Sequence, residues 1–143
     1  MDHDLKVTGT AAINATPERV WEVLTNPELI KEYLFGSETV TNWQVGSPIV
    51  FQGEYNGQKY SDHGIILSFI PARELQYSYW SAFYGVEDKP ENYAIVTCLV
   101  DVIDTTHTQL QWIMQGYTSE AGYQHSLQGM DAFMNQIKGI AER

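Results

Sequence analysis

The sequence has 143 residues, 43% hydrophobic and 13% aromatic, which suits one globular domain over residues 1–143 with an ordinary core. Its 8 Lys and Arg stand against 18 Asp and Glu, a net charge of −10 whose field repels phosphate backbones and anionic headgroups, so nucleic acid and membrane surfaces are excluded as partners. The lone Cys98 excludes an internal disulfide, no apolar run reaches the roughly 20 residues that span a bilayer, and the opening MDHDLKV lacks a signal peptide's cationic and apolar segments, so a cytoplasmic protein is expected.

Leu5 to Asn14 alternates loosely and reads as a strand. Thr16-Pro17-Glu18 then supplies an N-cap, a first-turn proline and an acid at the positive end of a helix dipole. Val20, Trp21 and Leu24 follow at helical spacing. Asn26-Pro27-Glu28 repeats the start signal, and Leu29, Ile30, Tyr33 and Leu34 continue a second short helix to about Phe35-Gly36. From Glu38 to Tyr117 strands alternate with turns: Ile49–Tyr55, Lys59–Ile70, Leu75–Ala82, Tyr93–Ile103 and Gln109–Tyr117. Asn56-Gly57 marks a tight hairpin, and short connections in sequence order imply an antiparallel meander. The last segment, Ser119 to Arg143, reads as a helix with Tyr123, Leu127, Met130, Phe133 or Met134, Ile137 and Ile140 forming one apolar stripe. Gly122, Gly129 and Gly139 each weaken that helix, and a close backbone approach to the sheet accounts for at most one of them. The fold class is α+β, with about six to seven strands.

Four stretches carry a family likeness. Ala15-Thr16-Pro17-Glu18-Arg19-Val20-Trp21-Glu22-Val23-Leu24-Thr25-Asn26-Pro27-Glu28 resembles the opening helix of proteins related to the activator of the ninety-kilodalton heat-shock chaperone ATPase. Trp43-Gln44-Val45-Gly46, then Gly64 to Leu75 with Trp80, resemble the middle of that family. Thr108-Gln109-Leu110 before Gly116-Tyr117, and Gly122-Tyr123 with Leu127 and Met130, resemble its end. The resemblance implies a START-like (SRPBCC) helix-grip fold, a curved antiparallel sheet wrapped around the long C-terminal helix with a cavity between them. The sequence departs from the family pattern at Met114, where relatives often carry His, and at Tyr123, where Trp is usual.

Strand parity and the family pattern together aim Ile49, Phe51 and Tyr55 inward on one strand, and His63, Ile65, Leu67 and Phe69 on the next. Leu75, Tyr77 and Tyr79, then Val96, Cys98 and Val100, then Leu110, Trp112 and Met114 continue the inner face, and the helix adds Tyr123, Leu127, Met130 and Met134. Such a lining suits a small hydrophobic or aromatic ligand, and four inward tyrosines favour a pocket wet enough to partner their hydroxyls. It is equally what any two-layer domain needs as plain core. The expected ligand site is therefore Phe51, Tyr55, His63, Ile65, Leu67, Tyr77, Tyr79, Cys98, Trp112, Met114, Tyr123, Leu127 and Met130, entered near Ser81–Asn92 with Phe83 and Tyr84 as a lid.

His63 is the best candidate for a chemical group, although a strand-end histidine bonded to backbone or water is the simpler reading. Cys98, in a strongly apolar strand, reads as an inert buried thiol. No metal-ligand spacing, P-loop, dinucleotide fingerprint or nucleophile elbow is present, so neither metal, cofactor nor catalytic residue is expected. Binding of a small hydrophobic molecule leads, by a monomer or homodimer. A co-chaperone or protein-interaction module with a protein partner is the alternative, and a cyclase- or hydrolase-like enzyme comes last. A sealed interior favours the interaction module, an open cavity without a His63–carboxylate contact favours binding, and an open cavity with that contact favours the enzyme.

Overall fold

The computed structural model describes residues 2–143. Strand β1 (Asp2–Ile13) is followed by helices α1 (Pro17–Thr25) and α2 (Pro27–Tyr33), then β2 (Glu38–Val40), β3 (Pro48–Tyr55), β4 (Gln58–Ile70), β5 (Glu74–Tyr79), β6 (Ala94–Val102), β7 (Thr108–Tyr117) and α3 (Glu120–Ala141). The strands form one seven-stranded antiparallel sheet in the order β1-β7-β6-β5-β4-β3-β2. This is the expected α+β helix-grip arrangement, with β2 as a short additional edge strand.

The helix signals act as the sequence implies. Thr16 Oγ1 accepts the Arg19 N–H at 3.2 Å. Asn26 serves both helices: its N–H donates to the Glu22 carbonyl at 2.8 Å to end α1, and its Oδ1 accepts the Glu28 N–H at 3.0 Å to start α2. At the hairpin, Asn56 and Gly57 adopt φ of 51° and 78°, the left-handed pair that a two-residue turn requires.

The core lies between the concave sheet face and the helices. Val20, Val23 and Leu24 of α1 and Ile30 and Tyr33 of α2 are buried over one end, where the Tyr33 hydroxyl donates to the Val23 carbonyl at 2.9 Å. The rings of Tyr33, Trp112 and Phe133 meet edge to face, 4.9 to 6.4 Å apart. Helix α3 crosses β1 over Gly9, where an added Cβ would come within 2.6 Å of the Met130 and Met134 side chains. On β4, a Cβ on Gly64 would lie 1.6 Å from the Ser78 carbonyl oxygen of β5. The glycines that permit close approach are thus on strands. Gly129 and Gly139 of α3 face open space.

Two expectations about facing are corrected. The buried stripe of α3 runs through Met130, Met134, Ile137, Ile140 and Ala141, with Ser126 rather than Leu127 turned towards the sheet, and Leu127 is 49% exposed. On β4 the buried residues are Asp62, Gly64 and Ile66, so His63, Ile65 and Leu67 point outward. A bulge causes this: Ile66 pairs with Tyr77 but Ser68 pairs with Gln76, leaving Leu67 as an extra residue. Phe69 returns to the inner face, where it meets Trp21 and Trp43. An expectation built on unbroken alternation inverts everything on the other side of such a bulge.

Candidate functional site

Of the residues expected to line a cavity, Phe51, Tyr77, Cys98, Trp112 and Met130 are buried, and Tyr79, Met114 and Tyr123 are partly buried against the same core. Phe51 sits 5.5 Å from Tyr77 and 5.7 Å from Tyr79, ring to ring. Around Phe51, Tyr77, Trp112, Tyr33 and Leu24 the remaining space is about 10 Å³, the threshold for one water molecule. The end of the interior beneath α1 and α2 is therefore filled by side chains.

Five expected lining residues lie elsewhere, His63 among them. Ile65 and Leu67 are 47% and 42% exposed on the convex face. Leu127 is turned out of the helix interface, as described. Tyr55 has the inward parity of Phe51, but it lies next to the hairpin at the end of β3, with its ring 6.4 Å from that of Phe83. It is 61% exposed.

His63, also outward, works as a strap. Its Nε2 lies 2.9 Å from Asp88 Oδ2 and 3.1 Å from the Tyr93 hydroxyl, and its ring is 5.4 Å from Trp80. Tyr93 donates to Asp88 in turn. Burial, then the bond to Asp88, pushes the Tyr93 phenol up to about 12, and the Tyr93 hydroxyl holds the Asp88 carboxyl below its usual value. The arrangement pins the loop between β5 and β6 to the back of the sheet. It offers no substrate face on the concave side.

The inner face does hold a polar group that strand parity missed. Asp62 is 6% exposed and stands opposite Phe51 across β3 and β4. Its Oδ2 accepts the Tyr79 hydroxyl at 2.5 Å, whereas Oδ1 is buried and has no hydrogen-bond partner among the described residues. Burial, then the Asp62 carboxylate, raises the Tyr79 phenol well above its usual range, which keeps it a donor. Tyr84, on the three-residue 3-10 turn Ala82–Tyr84, covers this end with its ring 5.9 Å from Tyr79. Its phenol is likewise raised, by burial first and then by the charge of Asp62. The signal for Asp62 was in the hairpin. A two-residue Asn56-Gly57 turn sets Tyr55 against Gln58 and hence Phe51 against Asp62, so an inward Phe51 carries Asp62 inward with it.

Cys98 is fully buried, and burial pushes its thiol far above the ordinary range, which makes it an inert core residue. Among the described residues no group of three or more His, Cys, Asp or Glu could hold a metal ion, and no helix is long and apolar enough to cross a membrane.

The structure is similar to a protein from Cytophaga hutchinsonii with 37% sequence identity over 99% of this chain and 97% of that one, at a TM-score of 0.83. The Aha1 dimer from Colwellia psychrerythraea (15% identity, 96% of each chain, TM-score 0.72) and an HSP90 activator from Plasmodium falciparum (14%, 95% of each, TM-score 0.73) share the fold. No curated protein matches the sequence. The family model described as Activator of Hsp90 ATPase homolog 1-like protein matches residues 14–142. With nearly its whole length matched, the chain belongs to the family of Activator of Hsp90 ATPase homolog 1-like proteins.

Proposed function

We infer that this chain is a protein-interaction module of the kind for which its family is named, and that it engages its partner through the convex face of the sheet. One observation carries this reading: the interior is filled to within about 10 Å³ at its apolar end, while the surplus apolar surface lies outside. Val40 is paired with Val50, and Val50 with His63, so the three share one row. Ile65 lies two residues further along the same face of β4, with the bulged Leu67 beyond it. Val40, Ile65 and Leu67 are each more than 40% exposed. These exposed apolar side chains flank His63 on one face of the sheet and offer a partner a contact surface. The strip ends at β2, a three-residue strand whose outer edge pairs with nothing among the described residues, so a partner strand could add there. The net charge of −10 favours a partner with a basic rim.

Binding of a small apolar ligand, favoured from sequence alone, is the weaker proposal on this geometry. An apolar molecule of several atoms has no room beneath α1 and α2 unless core side chains move.

The test is titration of a purified heat-shock chaperone of the ninety-kilodalton class with this protein, reading ATPase turnover and calorimetric binding. Wild type should bind and change turnover, and the double variant Ile65→Lys/Leu67→Lys should bind at least tenfold more weakly while keeping its melting temperature. Equal binding by the two proteins, or none by wild type, rejects this partner and this face. Light scattering on both shows whether the strip instead seats a second copy of the chain.

A further inference from the structure

The Asp62 end of the concave face has a character opposite to the apolar end. We propose that it is a binding site for a compact cationic ligand, an ammonium or guanidinium group on a small apolar body, with Tyr84 as the side chain that the ligand displaces. This is independent of the convex-face reading.

The first argument is an unmet acceptor. Asp62 is nine-tenths buried, its Oδ2 is taken by Tyr79, and its Oδ1 faces no donor among the described residues, nor does Asp62 enter any ion pair there. Buried carboxylate oxygens are normally satisfied, because leaving one unmet forfeits the hydration it had in the unfolded chain. An N–H donor with positive charge meets this acceptor better than a neutral or anionic group does.

The second argument is the wall. Phe51 stands across the strand pair from Asp62 and packs 5.7 Å from Tyr79, whose hydroxyl reaches the carboxylate, so once Tyr84 is displaced a cation beside Asp62 has two aromatic rings next to it. An uncharged apolar ligand would gain the same contacts but would leave Oδ1 unmet.

The third argument is the cover. Tyr84 rides on a single turn capped by Ser81 and ended by Gly85 in the left-handed conformation, and its neighbour Phe83 is 62% exposed. The first turns of α3 present an exposed Leu127 and a partly buried Tyr123, whose ring lies 5.5 Å from Tyr117. Tyr84 is not part of the core beneath α1 and α2, so its ring can swing aside without disturbing that core.

The probe is benzylammonium, with benzyl alcohol as its neutral counterpart, followed by calorimetry and amide chemical shifts at neutral pH. Benzylammonium should bind saturably and shift Asp62, Tyr79 and Tyr84, while benzyl alcohol binds at least tenfold more weakly. Asp62→Asn, which keeps the shape and removes the charge, should weaken benzylammonium roughly ten- to a hundredfold. Tyr84→Ala should bind at least as tightly as wild type, and it carries the test alone if Asp62→Asn fails to fold. Ile65→Lys/Leu67→Lys should leave benzylammonium affinity unchanged, which separates this site from the convex face. The proposal is overturned by equal affinity for the two probes, by unchanged affinity in folded Asp62→Asn, or by no binding in both wild type and Tyr84→Ala. The last result would leave an ordered water as the only partner of Asp62.

Discussion

The Arg19 guanidinium of α1 donates to the carbonyl oxygens of Ile140 and Ala141, at 3.0 and 3.2 Å, and so closes the C-terminus of α3. These are among the last carbonyls of α3, of which Ile140's also accepts a long 3.3 Å bond from the Arg143 N–H, and a cation there also meets the negative end of the helix dipole. Arg19→Ala should destabilise the protein by about 1–3 kcal/mol, since charged donors are lost from a part-buried site. Arg19→Lys should recover only part of that, because one ammonium cannot reproduce the two-pronged contact. Chemical denaturation of the three proteins decides the matter; equal midpoints would show that water caps the helix as well as Arg19 does.

The glycines divide into two groups with opposite expected signs. At Gly129 and Gly139 a methyl group meets nothing within 4 Å, so Gly→Ala at either should stabilise by about 0.4–1 kcal/mol through the unfolded chain's lost freedom. At Gly64 the same change drives a Cβ against the Ser78 carbonyl. The obstacle is backbone rather than a flexible side chain, so β4 and β5 must part. Thermal melts should show two gains and one loss of several degrees.

The register of α3 is tested by charge placement. Leu127→Asp should change stability by no more than about 0.5 kcal/mol, because Leu127 is half exposed. Met134→Asp should cost several kcal/mol, because it buries a carboxylate where 2% of the side chain is accessible. A large loss in Leu127→Asp would restore the stripe read from sequence.

Asp104 closes the turn between β6 and β7. The Thr106 N–H, 2.9 Å away, and then His107, 2.8 Å away, hold its carboxyl at about 2, down from 3.8. A depressed native value means that the contribution to stability is present above 3.8 and is lost as pH falls towards 2. Carboxyl-carbon resonances should give Asp104 a midpoint near 2 in the folded protein. Asp104→Asn should remove that part of the acid dependence; a midpoint near 3.8 would mean that the turn is open in solution.

Helix starts, the Asn56-Gly57 hairpin and the long final helix were legible because each rests on local chemistry that neighbours do not override. The inner faces of β5, β6 and β7 were legible for the same reason: Leu75, Tyr77, Val96, Cys98, Leu110 and Trp112 alternate without interruption and are buried as expected. On β4 the apolar residues Ile65, Ile66, Leu67 and Phe69 sit on both sides of a bulge, so apolar weight pointed the strand the wrong way. Leu127 misled because helical spacing at three and four residues admits both 126 and 127 beside Met130, and only the crossing over Gly9 chooses between them. Tyr84 was named as a lid, but that its ring would lie against Tyr79 and feel the Asp62 charge depends on the path of an irregular loop, which no periodicity encodes.

The pairing of β1 with β7 has a consequence for how the protein is made. These neighbouring strands are joined residue by residue from Val7 with Met114 to Ile13 with Thr108, so β1, once it has left the ribosome, waits for nearly the last strand of the sheet to be made. At about 5–20 residues per second, roughly 5–20 s separate the end of β1 from the end of β7. Throughout that interval the meander from β2 to β6 can assemble, while β1 remains an open edge able to pair with another nascent chain. Translation speed across residues 14–117 should therefore govern the soluble yield more strongly than the stability of the finished fold does.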